Sequence, residues 1–434
     1  MALRSAVALL ALLVAGAGAA QPAVAERTPD DAAPATRPLL AYLLTATGIV
    51  PVDLRARTAG AEIRTPGAPT DLVISPDGTR GHVLVAGELV PVDLLAGRAW
   101  PGTPIGAGAK AVALTPDGRT AWVADETARD LTPVDTATGR AGRPISIGSS
   151  GDIFLQDVAV TPDGRTAWVT TDCWGAVVPV DLGTRTVGTP VFLPADRGYP
   201  CANGLAVTPD GRTLWVSDAY SGAGLTPVDL ATRTRRDPVR LDESSAGLIA
   251  LTPDARKAYV AADDLSVVDL RTEVKVGALS RAPFGRFAVH PSGRTLLLTR
   301  VAGGVVPLDT GTDRTGAAFL TGVKATDVVV APDQAPVAGF RAERTTGRTV
   351  RFDASSSVGV TSPVTRYAWR FGDGTVRTTT TPVVEHTYAG PGSSRVRLTV
   401  TSAAGTSTTP LWATRALLRN GSPRATTTRV VEVP

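Results

Sequence analysis

Residues 110–139 read KAVALTPDGRTAWVADETARDLTPVDTATG, and two turn markers divide this stretch into short apolar runs. The first marker is Thr115-Pro116-Asp117-Gly118, in which Pro presets φ, Asp bonds the local backbone and Gly takes a positive φ. The second is Pro133-Val134-Asp135, whose carboxylate can accept a backbone N–H from the following turn. Short β-rich runs between turn signals indicate strands. We expect four strands in this unit, at residues 110–114, 120–124, 130–134 and 143–147.

Both markers recur along the chain at intervals of about 40 residues. A Pro or Val followed by Val-Asp or Leu-Asp occurs seven times, at Asp53, Asp93, Asp135, Asp181, Asp229, Asp269 and Asp309. The turn proline alternates with it, at Pro76, Pro116, Pro162, Pro209, Pro253, Pro291 and Pro332. A period of this size is typical of a β-propeller or a solenoid array. The sequence therefore predicts an all-β repeat domain over residues 38–333.

The order of the markers predicts how the repeats close. The chain enters the array at a second strand, residues 40–45, and leaves it on a first strand, residues 325–330. The last strand can then pair with the first and complete a seventh sheet, which leaves no free edge in the ring. We therefore predict a seven-bladed β-propeller.

The N-terminal stretch has the pattern of a secretory signal peptide. Arg4 precedes an apolar run at residues 6–20, and small residues suited to cleavage follow near Ala20 and Ala25. We assign residues 1–25 to the signal peptide and residues 26–37 to a linker. No later segment is apolar enough to span a bilayer. We expect a secreted, extracellular protein, with association to the cell envelope left open.

The second strands of the repeats share one pattern. It reads Arg119-Thr120-Ala121-Trp122-Val123, Arg165-Thr166-Ala167-Trp168-Val169, Arg212-Thr213-Leu214-Trp215-Val216 and Arg256-Lys257-Ala258-Tyr259-Val260. This pattern resembles the YVTN-type β-propeller repeat. The resemblance implies a seven-bladed propeller of the kind found in exported bacterial and archaeal proteins, whose members mostly have surface or binding roles. It implies little about activity.

After Pro336 the period stops and alternating apolar and polar residues predict a small antiparallel sandwich at 334–434. This segment resembles a PKD domain through Tyr367-Ala368-Trp369-Arg370-Phe371-Gly372-Asp373-Gly374 and His386-Thr387-Tyr388. The resemblance implies an Ig-like spacer, adhesion or binding module of a secreted protein. Val358, Gly359 and Val360 stand where the family usually has acidic residues, which removes the calcium ligands that the family would imply.

The C-terminal segment is also the basic part of the chain. From residue 336 onward it carries 13 Arg and 5 acidic residues, whereas the whole chain has a net charge of +4. Arg395 and Arg397 alternate on one strand face, so a polyanionic wall polymer or acidic glycan is a candidate partner, and a solvated basic face is the alternative. No basic stripe with interleaved aromatic residues is present, so we expect no nucleic-acid partner.

The sequence contains no recognisable catalytic motif. The three histidines each have a structural place: His82 stands where other repeats have Trp, His290 replaces the Thr of a turn, and His386 belongs to the PKD string. No pair has metal-ligand spacing, and no nucleophile elbow or paired-carboxylate motif occurs. We expect neither a metal nor a cofactor, and a binding role is favoured over an enzyme.

Some residues repeat in register, which favours a scaffold role. Burial between blades explains Trp122, Trp168, Trp215 and Tyr259 better than ligand stacking does. A second group of residues follows the second strands, namely Asp125, Asp172, Asp218 and Asp263. These carboxylates could line the mouth of a central channel, but Asp is also a good turn residue, and the sequence favours the turn role.

Two adjacent connections are longer than the others. From the Pro or Val of one Val-Asp step to the next turn proline the spacing is 29 and 30 residues there and 24–26 elsewhere. Long loops on one face of a rigid scaffold are where function is often placed, and tolerated drift in length is the alternative. Blade-specific residues in and beside these loops suit hydrogen bonding and stacking with a sugar or peptide. We predict ligand contacts at Asp152, Phe154, Gln156, Asp157, Asp172, Trp174, Asp196, Arg197, Tyr199 and Asn203.

The two cysteines lie in the same region. Cys173 follows a second strand and Cys201 lies in the next connection between blades, so in an oxidising environment we predict a disulfide between them. Two free buried thiols are the alternative.

The sequence as a whole favours a non-enzymatic binding or cell-surface interaction protein, with the propeller face as ligand site. A glycan, a cell-wall polymer and a peptide are the candidate partners, and we expect a monomer. One alternative is a hydrolase similar to propeller lactonases, which would need a cluster of acids, Arg or His at repeat-breaking positions of the channel. No such cluster is evident from the sequence. A purely structural envelope component is the third possibility.

Overall fold

The computed structural model describes residues 41–54, 56–76, 78–148, 153–172, 174–194, 200–219, 224–242, 245–280, 284–291, 293–331, 336–359, 363–402 and 425–433. These residues form an all-β protein of many short antiparallel strands, and they contain no α-helix. Among them, accordingly, no helix has the length and apolarity needed to cross a membrane. The expected signal peptide and linker lie outside the described residues.

The first part of the chain forms seven sheets, which we number in chain order. Sheet 1 contains β1 (Ala41–Leu44), β2 (Gly48–Asp53), β3 (Thr58–Ala59), β4 (Ile63–Arg64) and the distant β32 (Asp327–Val330). Sheet 2 contains β5 (Pro69–Ile74), β6 (Arg80–Val85), β7 (Glu88–Asp93), β8 (Arg98–Ala99) and β9 (Thr103–Pro104). Sheet 3 contains β10 (Ala109–Leu114), β11 (Thr120–Asp125), β12 (Asp130–Asp135) and β13 (Ile145–Ser146).

The next four sheets repeat this order. Sheet 4 contains β14 (Leu155–Val160), β15 (Thr166–Thr171), β16 (Ala176–Asp181), β17 (Thr186–Val187) and β18 (Val191–Phe192). Sheet 5 contains β19 (Ala202–Val207), β20 (Thr213–Asp218), β21 (Gly224–Asp229), β22 (Thr234–Arg235) and β23 (Val239–Arg240). Sheet 6 contains β24 (Ile249–Leu251), β25 (Lys257–Ala261), β26 (Leu265–Asp269) and β27 (Val274–Leu279). Sheet 7 contains β28 (Phe284–Val289), β29 (Thr295–Arg300), β30 (Val305–Asp309) and β31 (Arg314–Thr315).

The strands predicted for residues 110–147 agree with sheet 3. The first three are present within one residue of the expected bounds, whereas the fourth shrinks to Ile145–Ser146 and an isolated bridge between Val134 and Ala141. Gly142 and Pro144 interrupt this outer strand, and Pro lacks an N–H for the ladder. The outer strand is therefore the least regular of the four strands of sheet 3.

Sheet 1 joins the two ends of the repeat array. Strand β32 pairs antiparallel with β1, with Ala41 opposite Val330 and Leu44 opposite Asp327. The backbone N–H of Thr326 donates to the Leu44 carbonyl at 2.8 Å. The predicted pairing of the last strand with the first is therefore confirmed.

The first strands of successive sheets lie side by side. Contacts run in chain order through β5, β10, β14, β19, β24, β28 and β32, and β32 also contacts β5. Their order is cyclic. It is compatible with the seven-bladed propeller that the sequence predicts.

The two turn markers act as expected. Gly118 has φ of 70°, and Asp117 accepts hydrogen bonds from Thr115 Oγ1 at 2.6 Å and the Arg119 N–H at 3.0 Å. Asp135 accepts the N–H of Thr138 at 2.7 Å. The Asp of each other Val-Asp or Leu-Asp step receives the equivalent N–H from three residues further on, at 2.7–2.9 Å. These repeated carboxylates are structural, because their acceptor capacity goes to the turn.

The aromatic residues that recur at the same position of the second strands pack between sheets. Trp122 lies in a cluster with Val158 and Val169 of sheet 4, and Tyr259 lies against Phe287 of sheet 7. Trp168 and Trp215 are about as deeply buried, at 1% and 2% exposure. The predicted packing role is confirmed, since side chains this deep offer no face to a ligand.

The C-terminal segment forms a sandwich of two sheets. Sheet 8 contains β33 (Arg341–Arg344), β34 (Thr349–Asp353) and β37 (Val383–Thr387). Sheet 9 contains β35 (Val364–Arg370), β36 (Val376–Thr379), β38 (Gly392–Ser402) and β39 (Thr426–Val433). An aromatic core fills the space between them, with Phe340, Phe352, Trp369 and Phe371 all almost fully buried. Tyr, Trp and Phe of the string quoted above alternate with solvent-facing residues, as one face of a strand requires.

Candidate ligand-binding site

The structure describes six of the ten predicted ligand contacts. These are Phe154, Gln156, Asp157, Asp172, Trp174 and Asn203. The other four, Asp152, Asp196, Arg197 and Tyr199, lie outside the described residues, as does Cys173. The predicted disulfide consequently stays a prediction, although buried Cys201 is held in place by its N–H, which donates to Asp218 Oδ1 at 3.0 Å.

Five of the six described residues are linked by hydrogen bonds in two groups, the first of which is centred on buried Thr170. Thr170 Oγ1 receives the N–H of Asp157 at 2.9 Å and donates to the Asn203 carbonyl at 2.8 Å. The Asp172 N–H donates to the Phe154 carbonyl at 2.8 Å, and Gln156 Nε2 reaches Asp172 Oδ2 at 3.4 Å. The beginnings of β14 and β19 are thereby tied to the end of β15.

The aromatic residues of the group differ in availability. Phe154 is 41% exposed, which leaves one face open. Trp174 is partly buried against the cluster of Ile153 and Leu155, and its ring meets Phe192 edge-on with centroids 5.2 Å apart. Phe154 can therefore stack with a ligand, whereas part of the Trp174 surface supports the loop.

Asp157 lies at a β-bulge, which turns its side chain out of the ladder. Pairing of β14 with β15 skips from Leu155–Thr171 to Val158–Val169, so Gln156 and Asp157 together face Thr170. Thr170 Oγ1 fills the gap by hydrogen bonding there. Bulges are enriched beside functional sites because they re-aim a side chain.

The position of Asp157 is charged in three other sheets. It stands five residues before the turn proline, and the same position holds Asp71 in β5, Arg286 in β28 and Asp327 in β32. In the remaining sheets it holds Ala111, Gly204 and Leu248. We call Asp71, Asp157, Asp327 and Arg286 the charged ring. Its members interact electrostatically: Arg286 acts on all three carboxyl groups, and Asp71 acts on the other two.

Two of these carboxylates also join neighbouring sheets. Asp71 Oδ2 accepts the N–H of Val112 in sheet 3 at 2.8 Å, and Oδ1 accepts the Leu72 N–H at 2.8 Å. Asp157 repeats this arrangement between sheets 4 and 5, with Leu205 at 3.1 Å and Val158 at 2.8 Å. Asp327 accepts the Val328 N–H at 2.7 Å. A clamp between first strands is thus one role that the geometry gives these residues.

Burial perturbs the acidity of the charged ring. Desolvation raises the pKa of Asp157 to about 7, and the negative charge of Asp71 adds to this rise, while the Leu205 and Val158 N–H groups and Arg286 oppose it. Desolvation likewise raises the pKa of Asp327 to about 6 against the pull of Arg286. The pKa of Asp71 is also raised by burial. Near neutral pH the ring therefore holds carboxyl groups close to their protonation midpoint, which suits proton exchange and hydrogen bonding to a polar ligand.

The charged ring has no metal-binding geometry. Within the described ranges no three His, Cys, Asp or Glu side chains approach closely enough to hold a metal ion. The ring is instead a spread set of acceptors with one guanidinium donor, Arg286, which is exposed. Such a set can bind a ligand that carries an ammonium group or several hydroxyl groups.

Sequence reasoning found only one of the four ring residues. Counting back from the turn proline in every repeat would have found Asp71, Asp327 and Arg286, since these are blade-specific charges at an otherwise apolar or small position. From the sequence no cluster of acids and Arg was evident at repeat-breaking positions, and this set of electrostatically coupled residues was not identified. Loop length, which pointed to Asp157, does not reveal the other three, because they lie in repeats of ordinary length.

The carboxylates that follow the second strands have structural partners. Asp125 Oδ1 accepts the N–H groups of Thr127 at 2.8 Å and Ala128 at 2.6 Å, and Asp218 holds Cys201. Both aspartates are at most 4% exposed. The turn role that the sequence favoured is confirmed for Asp125, whereas Asp218 bonds Cys201 beside β19. The charged ring is therefore the better candidate site.

Comparison with known proteins gives one result for the C-terminal sandwich and another for the fold of most of the chain. Residues 330–414 match the model of the PKD domain family. No curated protein matches the chain. The search of solved structures returns hydrazine synthase of Kuenenia stuttgartiensis, with 17% identity, a TM-score of 0.54 and coverage of 62% of this chain and 90% of that chain. It also returns a functionally unknown protein of Desulfotomaculum acetoxidans, with 12% identity, a TM-score of 0.58 and coverage of 68% and 100%. At these identities the likeness concerns the fold alone.

Proposed function

We propose that this chain is a secreted, non-enzymatic binding protein built as a seven-bladed propeller of the YVTN type followed by a PKD module. The ligand site lies at the charged ring and the neighbouring residues Phe154, Gln156, Asp172 and Asn203. The PKD module acts as a spacer or adhesion domain. Support for an extracellular location comes from the PKD match, because PKD domains are typical of extracellular proteins.

The observation that carries the proposal is the charged ring. Four of seven equivalent positions carry charge, and their side chains act on one another across sheets 1, 2, 4 and 7. The repeat tolerates an uncharged residue at this position, since Ala111, Gly204 and Leu248 fill it in the other sheets, so the clamp formed by Asp71 and Asp157 is not required in every sheet. Three carboxyl groups against one guanidinium favour a ligand with an amine beside hydrogen-bonding groups, such as a peptide or an amino sugar.

The test uses ligands that differ in one charge. Full-length protein is titrated calorimetrically with glucosamine hexamer and with its N-acetylated form, and with a Lys-containing and a Glu-containing peptide of equal length. We expect binding of an amine-bearing member and at least tenfold loss in Asp71→Asn, because a charge-assisted hydrogen bond contributes about 1.5–3 kcal/mol. Asp135→Asn, an exposed turn carboxylate of the same charge, is the matched control. Equal binding of both ligand forms, or equal loss in both variants, would contradict the proposal.

A second candidate is a hydrolase similar to propeller lactonases. The pKa of Asp157, raised to about 7, is where a general base works best at neutral pH. The group has two backbone N–H donors on its oxygens, and the sequence supplies no nucleophile motif beside it. Turnover of simple lactones by the wild-type chain, lost in Asp157→Asn, would establish this class in place of binding.

A further inference from the structure

A cleft of about 620 Å³ opens on the outer face of sheet 9. Four arginines line it: Arg370 of β35, Arg395 and Arg397 of β38, and Arg429 of β39. The first three project from the outer face, whereas Arg429 is paired with the core residue Val396 and its guanidinium lies over the Phe340 ring. All four are exposed, and no Asp or Glu is among the lining residues. We call this the arginine cleft. It lies far from the charged ring in sequence. Its charged side chains are all positive, whereas three of the four in the charged ring are carboxylates.

The register brings the guanidinium groups together. Arg370 and Arg397 are directly opposite each other in the pairing of β35 with β38. Arg395 is two residues before Arg397, so it projects from the same face about 7 Å further along the strand. Cross-strand partners lie about 5 Å apart at Cα. Three positive charges therefore share an area about the size of one disaccharide.

The close spacing of these arginines destabilises the folded sandwich. Like charges directly opposite on a sheet repel each other. Among the ion pairs of the described residues, Arg341 and Arg351 of sheet 8 each have acidic partners, whereas none involves the four arginines of the cleft. A solvated face would need only scattered charges. Clustered arginines without counterions indicate that an anion from outside the chain neutralises them.

A glycine turn forms one wall of the cleft. Gly372 has φ of 91°, and a Cβ there would come within 2.8 Å of the Arg395 backbone nitrogen. Gly374 has φ of 92° and lies in the same turn. The turn after β35 thus packs against β38 at a distance that only glycine permits, which fixes the main chain at Arg395.

We propose that the arginine cleft binds an acidic polymer through successive carboxylate or phosphate groups. Arg is the side chain best suited to such groups, because its planar fork makes two parallel hydrogen bonds to one anion. Arg370, Arg395 and Arg397 span two neighbouring strands and about 7 Å along β38, which exceeds a single small anion and fits consecutive acidic units of a chain. Exposed Val376 and Val430 flank the charges and can cover the apolar side of a sugar ring. Such a contact would attach the protein to an anionic polysaccharide or phosphate-rich wall polymer.

The experiment measures binding of full-length protein to immobilised polygalacturonate, long-chain polyphosphate and neutral dextran. We expect binding to one or both polyanions, weakening as NaCl rises from about 50 to 500 mM because exposed charges are screened, and none to dextran. The double variant R370Q/R397Q should weaken it by about tenfold or more. R366Q/R377Q is the matched control, since both residues are exposed on the same sheet, outside the cleft, and the net charge changes equally.

The two polyanions separate the possible sources. Preference for polygalacturonate identifies a uronic-acid polymer, and preference for polyphosphate identifies a phosphate polymer. Equal loss in the two double variants would show attraction by net charge alone and overturn the site, as would absence of binding to both polyanions at the lowest salt concentration. Because the ring variant Asp71→Asn leaves sheet 9 untouched, failure of the proposed propeller function would not alter this result.

Discussion

Replacement of Asp157 by Asn should change the stability of the protein with a sign that depends on pH. Wild-type Asp157 has a pKa of about 7 in the folded protein and 3.8 as an ordinary aspartate. Because the folded value is the higher one, the folded state binds the extra proton. The stability that this group contributes is present below pH 3.8 and is lost as the pH rises toward 7.

The magnitude follows from the shift. A difference of about 3 pKa units at 1.36 kcal/mol per unit makes the wild type lose up to about 4 kcal/mol between pH 4 and pH 8. The amide in the Asp157→Asn variant does not titrate, so the variant escapes this loss. That amide keeps one acceptor oxygen for two backbone N–H donors, from Val158 and Leu205, and the unmet donor costs about 1–3 kcal/mol at any pH. We expect Asp157→Asn to be less stable than wild type at pH 4 and more stable at pH 8.

Urea unfolding followed by tryptophan fluorescence at pH 4, 6 and 8 measures both proteins. Asp135→Asn is the control. Hydrogen bonds from Thr138 lower the pKa of Asp135, so its contribution to stability is present above the ordinary value of 3.8, and the difference between this variant and wild type should stay nearly constant from pH 4 to pH 8. A difference between Asp157→Asn and wild type that is the same at pH 4 and pH 8, within about 0.5 kcal/mol, would refute the argument.

Three further results are expected. Arg397→Gln should raise the melting temperature of the PKD sandwich by about 1–5 °C, because it removes the like charge opposite Arg370; a decrease in calorimetry would contradict this. The Cys173–Cys201 disulfide should leave neither thiol available to alkylation in the unfolded, unreduced protein, and reduction should cost about 2–4 kcal/mol of stability; quantitative alkylation without reductant would exclude the bond. Deletion of residues 21–65 should leave β32 without its partner and promote association, so a monomeric variant that unfolds as cooperatively as the parent would count against the closure argument.

The local features of the fold could be predicted from the sequence because each depends on residues within one turn. Asp135 is followed three residues later by the N–H that it accepts, and Gly118 stands where the turn needs a positive φ. Closure could be predicted too, since the order of the markers determines which strand is left unpaired. The fourth strand expected at residues 143–147 is shorter than predicted, because Gly142 and Pro144 break its ladder.

The candidate site was only partly predictable. Asp157 and its neighbours stood out as departures from the repeat, but Asp71 and Arg286 lie in repeats of ordinary length. Their significance depends on electrostatic interactions between sheets that are far apart in the chain, such as the effect of Arg286 on the pKa of Asp71. The residue pattern within one repeat does not indicate which residues of a distant repeat will interact with it. Thr170, which forms hydrogen bonds with the predicted residues Asp157 and Asn203, was missed for the same reason.

The pairing of β1 with β32 can form only late in the synthesis of the chain. Thr326 and Leu44, which bond each other where these strands meet, are 282 residues apart in the chain. At about 5–20 residues per second a ribosome needs roughly 15–60 s to make that length. During this interval β1 presents an unpaired edge, so the array can be finished only after the whole repeat region has been made. Anything that delays synthesis or export in that interval prolongs the exposure of an edge that could pair with another chain.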